Sequence, residues 1–229
     1  MRYDTVFLDI DGTLLWVDLD IEGYVRDLAQ YSNGGRLTIE KAADPIRENM
    51  RTHINENINY PTKERLAVFK RANAERTAHA LGLKAPAGAL AEITDRRISF
   101  NPYPESERVM EELRDMGCRL YAVSNWDVLL EEVLEDLGWM HYFEAIVVSA
   151  LVGTEKPGRD IFEEALRVSG RAESREKVVH VGNDPIADIR GAAEAGIDAV
   201  LVDRRGNLKA PEAIRVIRDL GSLPEIVRG

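Results

Sequence analysis

Two aspartates separated by one residue close an apolar run, Phe7-Leu8-Asp9-Ile10-Asp11-Gly12-Thr13-Leu14. Carboxylates are unusual at a buried strand end unless they are paired or bound to a metal. On a continued strand both would point the same way, whereas a turn after Ile10 would separate their tasks. One carboxylate can then attack phosphorus while the other exchanges a proton with the leaving group. Hard oxygen ligands of this kind also suit Mg²⁺. Gly12 permits a tight turn that a side chain would obstruct. The plain alternative is an N-terminal turn carrying surface acids.

Three more clusters each follow an apolar run. Ser124-Asn125 comes after Leu120, Ala122 and Val123. Lys156-Pro157 comes after Ile146-Val147-Val148. Gly182-Asn183-Asp184-Pro185-Ile186-Ala187-Asp188 comes after Val178-Val179. Ser-Asn or Lys-Pro alone carries almost no information; four clusters sharing one placement carry a good deal.

The elements that must position these clusters are short β-branched strands alternating with periodic helices. Strands are expected at 3–9, 119–124, 145–149, 177–182 and 199–202. Helices are expected at 104–116, 128–137, 159–168 and 186–195, with a last one at 210–220 on the outside. This alternation predicts an α/β fold, a Rossmann-like parallel sheet with helices on both faces and ligands at the carboxyl ends of its strands. Residues 16–99 interrupt it with no convincing strand. Helices are expected there at 20–31, 38–57, 61–81 and 86–94, broken at Asn33-Gly34-Gly35. The reading is therefore a catalytic α/β core, 1–15 and 100–229, with an inserted all-helical domain, 16–99.

Composition narrows the function. The 229 residues carry 30 Lys and Arg against 40 Asp and Glu, a formal charge of -10. That balance argues against general nucleic-acid binding and leaves room for a small anion in a local positive pocket. The insertion holds 12 acidic and 13 basic residues, so it is the less acidic part. Cys118 is the only cysteine, which excludes an internal disulfide and a Cys-rich zinc site. A reducing cytoplasm is the expected setting. The acids within the first apolar run do not suit a signal peptide, and no apolar run reaches membrane-spanning length.

The four clusters together, in this order and at strand ends, resemble those of the haloacid dehalogenase-like hydrolases, mostly phosphatases. The resemblance covers 1–15 and 100–229. It implies that Asp9 is the nucleophile, forming an aspartyl-phosphate from a phosphomonoester. It implies that Asp11 protonates the leaving alkoxide, then takes a proton from the hydrolytic water, with its main-chain carbonyl toward Mg²⁺. Ser124 and Asn125 would hold a phosphoryl oxygen, and Lys156 would neutralise phosphate charge and orient Asp9. A common family form has Asp where this chain has Asn183. Asp184 is favoured as the acidic metal ligand, Asn183 is the alternative, and Asp188 is a ligand or a carboxylate supporting Lys156. Asp188 could instead cap a helix beginning near Ile189.

The insertion resembles a mobile cap, which favours a small phosphorylated metabolite as substrate, with no nucleic acid and no membrane as partner. A phosphomutase would keep nearly all of this machinery. A 2-haloacid dehalogenase would need neither Mg²⁺ nor the acid at Asp11. A non-enzymatic phosphate-binding protein would have little use for the complete set. His180 reads as a sheet residue, Cys118 as a structural one, and His53 and His79 as helix residues without a zinc pattern. Trp16 stands at the crossing into the insertion, as a hinge residue or a substrate contact. Trp126 and Asp127 would meet the cap or start the next helix.

Overall fold

The strands form where apolar, β-branched residues run without a polar face. The computed structural model describes residues 1–33, 36–86 and 88–229. The chain begins with β1 (Thr5–Leu8), β2 (Leu15–Leu19), α1 (Ile21–Ala29), α2 (Ile39–Glu56), α3 (Lys63–Ala80), α4 (Ala89–Arg97) and β3 (Ile98–Pro102). It continues through α5 (Ser106–Asp115), β4 (Arg119–Ser124), α6 (Leu130–Asp136), β5 (Phe143–Val148), α7 (Ser149–Val152) and α8 (Arg159–Ser169). It ends with β6 (Val178–Gly182), a π-helical turn (Pro185–Arg190), α9 (Gly191–Glu194), β7 (Asp198–Val202), β8 (Arg215–Ile217) and α10 (Leu223–Arg228).

Six strands make one sheet in the order β5-β4-β1-β6-β7-β8. Every neighbouring pair is parallel. β1 and β6 are buried along their whole length, as strands covered on both faces must be. The order reverses beside β1: the chain goes to β4 and β5 on one side, then to β6, β7 and β8 on the other. At such a switch point the strand ends open a crevice where ligands bind.

One face is covered by the apolar stripe of α8. Ile161, Phe162 and Leu166 pack with Phe7, Tyr121, Val123 and Ile189. Against the other lie α5, with Val109, Met110 and Leu113 buried, and α10, with Leu223 and Val227 buried. Cys118 is buried beside Met1, with its sulfur 3.6 Å from Met1 Sδ. Burial pushes its thiol up to about 11, so it is structural rather than reactive.

Three elements differ from the sequence expectation. The expected helix at 210–220 is replaced by β8, an edge strand whose Val216 is exposed and Ile217 buried. Adjacent β-branched residues there add to the sheet edge, and helix follows only at α10. The stretch read as strand-free carries β2 and β3 at its two ends, paired as a two-stranded sheet. Finally, the expected helix at 186–195 opens as the π-helical turn, because Asp184 O accepts from both Asp188 N and Ile189 N.

By its internal contacts the chain divides into two units, 1–16 with 101–229, and 17–100. The second unit holds the four expected helices. Their apolar faces, with Tyr24, Leu28, Ile46, Ala74 and Ile93, form its core. Arg97 donates through Nε and Nη2 to Asp27 Oδ2 at 2.9 and 2.7 Å, and through Nη1 to Asp20 Oδ2 at 3.0 Å. Asp20 in turn caps α1 at Gly23 N. Gly34 and Gly35 of the expected break, and Ala87 of the fourth expected helix, lie outside the described residues. Among the described residues no helix is long and apolar enough to cross a membrane.

Candidate active site

Asp9 extends β1 by one residue, its N–H donating to Val181 O at 2.9 Å. The chain then turns sharply. Ile10 O accepts the N–H groups of Thr13, Leu14 and Leu15 at 3.2, 2.9 and 3.1 Å. Gly12 is required here twice over. Its φ is +80°, and an added Cβ would stand 2.1 Å from Asn183 Nδ2. The turn sends Thr13 back beneath Asp9, where its hydroxyl donates to Asp9 Oδ2 at 2.9 Å. Asp11 lies on the exposed side of the same turn, so the two carboxylates do end in different surroundings.

Lys156 is the centre of the cluster. Only 2% of its side chain is exposed. Its Nζ donates to Asp9 Oδ1 at 2.7 Å, Asp188 Oδ1 at 2.6 Å and Val123 O at 2.9 Å. All three ammonium protons are thereby used. Ser124, at the end of β4, donates to Asp9 Oδ1 at 3.4 Å. The Asn125 side chain closes a two-point clamp on the lysine main chain. Its Nδ2 donates to Lys156 O at 2.9 Å, and its Oδ1 accepts Lys156 N at 2.7 Å. Trp126 and Asp127 complete the loop. Ser149 Oγ binds both Trp126 N and Trp126 O, and Asp127 Oδ1 accepts Leu129 N ahead of α6.

The end of β6 divides Asn183, Asp184 and Asp188 among different tasks. Asp188 folds back over Gly182, where a Cβ would stand 2.1 Å from Asp188 Cγ. Besides Lys156, it accepts His180 Nε2 on Oδ1 at 3.0 Å and Asp184 N on Oδ2 at 2.9 Å. Its helix-capping alternative is thus replaced by a buried bridging role. Asp184 is exposed, and its Oδ1 caps the π-helical turn at Ile186 N and Ala187 N, both 2.7 Å. Asn183 instead turns toward the first cluster, with Oδ1 3.5 Å from Thr13 Oγ1. Among the described residues no three His, Cys, Asp or Glu side chains are grouped to hold a metal.

Two residues enter this site that sequence reasoning passes over. Thr13 sits within the first cluster, four residues after Asp9, a spacing that a turn converts into contact. His180 is fully buried in β6, as expected of a sheet residue, and also supports Asp188. Trp16 packs on Tyr103, with ring centroids 5.0 Å apart, and remains 40% exposed.

One ammonium cannot neutralise two buried carboxylates equally. For Asp9, burial raises the carboxyl to about 6; Lys156 pulls it down and Asp188 pushes it further up. For Asp188, burial acts in the same direction but is outweighed by Lys156 and the His180 hydrogen bond, which hold it well below the usual range. The difference is that Asp188 has the better-furnished site. Burial would lower Lys156, but Asp188 and Asp9 raise it above the ordinary lysine value. Burial lowers His180, which therefore supports Asp188 as a neutral donor.

The Asp9 shift has a measurable consequence. A carboxyl raised from 3.8 to about 6 favours the fold when protonated, and this contribution is lost as pH rises through about 6. Asp9→Asn keeps an acceptor for Lys156 and removes the charge. In EDTA it should melt at a higher temperature than wild type at pH 8, with the gap closing below pH 6. Calorimetry across this range checks it; equal midpoints at pH 8 would contradict the burial cost.

The haloacid dehalogenase-like hydrolase model matches residues 3–196. Glyceraldehyde 3-phosphate phosphatase from Methanothermobacter thermautotrophicus is 38% identical over 154 residues, 61% of this chain and 66% of that enzyme. Phosphoserine phosphatase from Thermus thermophilus is 37% identical over 200 residues, 86% of this chain and 70% of that enzyme. The fold is also that of the HAD-hydrolase YfnB from Bacillus subtilis bound to magnesium, at 22% identity, full coverage of both chains and a TM-score of 0.69. With the family model spanning most of its length, the chain belongs to the haloacid dehalogenase-like hydrolases.

Proposed function

We propose that the chain hydrolyses a small phosphomonoester by way of an aspartyl-phosphate on Asp9. The observation that carries this reading is the buried Lys156, 2.7 Å from Asp9 and 2.6 Å from Asp188. The ammonium favours the ionised form of Asp9 and fixes its orientation, as a nucleophile requires. An Asp9 oxygen bonds to phosphorus as the ester P–O bond breaks, and Asp11 gives its proton to the departing alkoxide. Water then attacks phosphorus, Asp11 recovers a proton from it, and inorganic phosphate leaves as Asp9 is freed. Asp11's exposed position suits this exchange. The Ser124 hydroxyl and the Asn125 main-chain N–H face the transferred phosphoryl in this reading, Trp126 N being committed to Ser149 Oγ. The Asn125 side chain, committed to Lys156, positions that lysine. The likeness to relatives named for glyceraldehyde 3-phosphate and phosphoserine supports a small phosphorylated metabolite as substrate. The helical unit, 17–100, is read as the substrate-selecting cap.

Mg²⁺ fits the oxygen donors beside Asp9. The Asp9 carboxylate and the Asn183 carboxamide flank one hydroxyl, that of Thr13, and the absent Gly12 side chain leaves them room. Asp9, the Asp11 main-chain carbonyl and Asn183 would hold the ion. When bound, it offsets the negative charge that Lys156 leaves uncompensated and that phosphate adds. Asn183 is preferred over Asp184 as the ligand, because the Asp184 carboxylate is spent on a helix cap. The Asp188 carboxylate serves Lys156.

A panel of phosphomonoesters, including glyceraldehyde 3-phosphate, phosphoserine, sugar phosphates and nucleoside monophosphates, tests the activity with Mg²⁺ or EDTA. Hydrolysis of at least one in Mg²⁺ alone is expected. No turnover by folded protein, or turnover only of a 2-haloacid, would overturn the reading. Asp9→Asn should form no phosphoenzyme in rapid-quench trapping with labelled substrate, and Asp11→Asn should slow turnover about 10²–10⁴-fold.

The metal assignment is tested by titration. Asn183→Ala should weaken apparent Mg²⁺ affinity by more than tenfold, about 1.4 kcal/mol, and Asp184→Ala by much less. The reverse order would assign the ligand to Asp184.

A further inference from the structure

Arg204 lies just beyond β7, outside every cluster singled out in the sequence, yet it holds the turn that carries Asp9. Its Nη2 donates to Thr13 O at 2.8 Å and its Nη1 to Glu105 Oε1 at 2.7 Å. Its guanidinium carbon sits 3.3 Å from the Tyr103 ring centroid, a stacked cation–π contact. The next peptide is held from the same side. Leu14 O accepts Tyr103 N at 3.0 Å and Ser106 Oγ at 2.6 Å. The two carbonyls that follow Gly12 are therefore both fixed from outside the turn.

The anchor acts on the Thr13–Leu14 peptide, which inside the turn is held by one shared acceptor. Its N–H, that of Leu14, donates at 2.9 Å to Ile10 O, which also accepts Thr13 N and Leu15 N. Rotation of this peptide would carry the Thr13 hydroxyl off Asp9 Oδ2, now 2.9 Å away. Glu105 pairs with the guanidinium, so its charge is balanced locally and its effect is geometric.

We propose that Arg204 is a positioning residue for the Asp9 carboxylate, acting through the Thr13 peptide. The proposal rests on Asp9 as the nucleophile for its kinetic consequence, but not for its structural one. Arg204→Met leaves the Thr13 carbonyl unheld and removes the plate over Tyr103. With the best phosphomonoester, kcat should fall about 10–100-fold, because a displacement of the nucleophile acts on chemistry. KM should stay within about twofold, since no contact to bound substrate is lost. Arg204→Lys keeps the charge and one donor but not the fork, and should recover part of kcat. It also serves if Arg204→Met does not fold. Arg205→Met, at the exposed neighbouring position, should match wild type. Hydrogen exchange supplies a readout independent of turnover: amides of Thr13, Leu14 and Leu15 should exchange faster in the Arg204 variants at matched global stability.

Unchanged kcat in folded Arg204 variants of an active enzyme would overturn the proposal. So would a loss confined to KM. If the wild type hydrolyses no phosphomonoester, the phosphatase reading fails, and exchange decides about Arg204 by itself. Faster exchange at Thr13–Leu15 then supports the anchor, and unchanged exchange overturns it.

Discussion

An ammonium group removed from water must be repaid by charge and hydrogen bonds, and Lys156 meets that demand by recruiting both from three strand ends. Asp9 follows β1, Val123 O belongs to β4, and Asp188 folds back from beyond β6. A buried ion pair stabilises little by itself, because desolvation offsets most of the Coulomb attraction. What it does impose is geometry: removing Lys156 would leave two buried carboxylates without a counter-charge. The remaining contacts follow from this constraint. Asn125 clamps the lysine main chain, His180 steadies Asp188 as a neutral donor, and Thr13 takes the Asp9 oxygen that the lysine does not.

The sheet makes such a convergence possible. β4, β1 and β6 are parallel neighbours, so their carboxyl ends open on one side, where the strand order reverses. Two glycines then let the side chains close in. Gly12 admits Asn183, and Gly182 admits Asp188. The π-helical turn adds to this by ending β6 in a wider coil, with Asp184 as its cap and Asp188 directed back toward the sheet. The charge left over falls on Asp9. Lys156 satisfies Asp188 more fully than Asp9, so Asp9 keeps a raised affinity for positive charge or a proton.

Much of this arrangement was legible in the sequence, because strand ends were marked by the same polar residues that meet in the cluster. Asp9, Ser124, Lys156 and Asp188 stand in contact as their shared placement after apolar runs implied. The parts that were not legible depend on contacts rather than pattern. Asn183 and Asp184 are adjacent, and only their contacts distinguish them: Asn183 turns toward Thr13, and Asp184 caps Ile186 and Ala187. Thr13 gains its role from a turn, and Arg204 from an anchor far along the chain. β3 did carry a signal, the alternation Ile98-Ser99-Phe100-Asn101, which the helical surroundings obscured. β8 is three residues at a sheet edge, too short for periodicity to separate it from a helix.

The central claim is that Lys156 sets the ionisation of a buried Asp9. Carbon-13 NMR of carboxyl-labelled aspartate in metal-free protein, with Asp9→Asn used to identify the resonance, measures it directly. The account predicts that Asp9 titrates near 6 in the wild type and moves upward in Lys156→Met, where burial acts without the ammonium. Titration in the ordinary aspartate range, or a value that ignores the loss of Lys156, would contradict it.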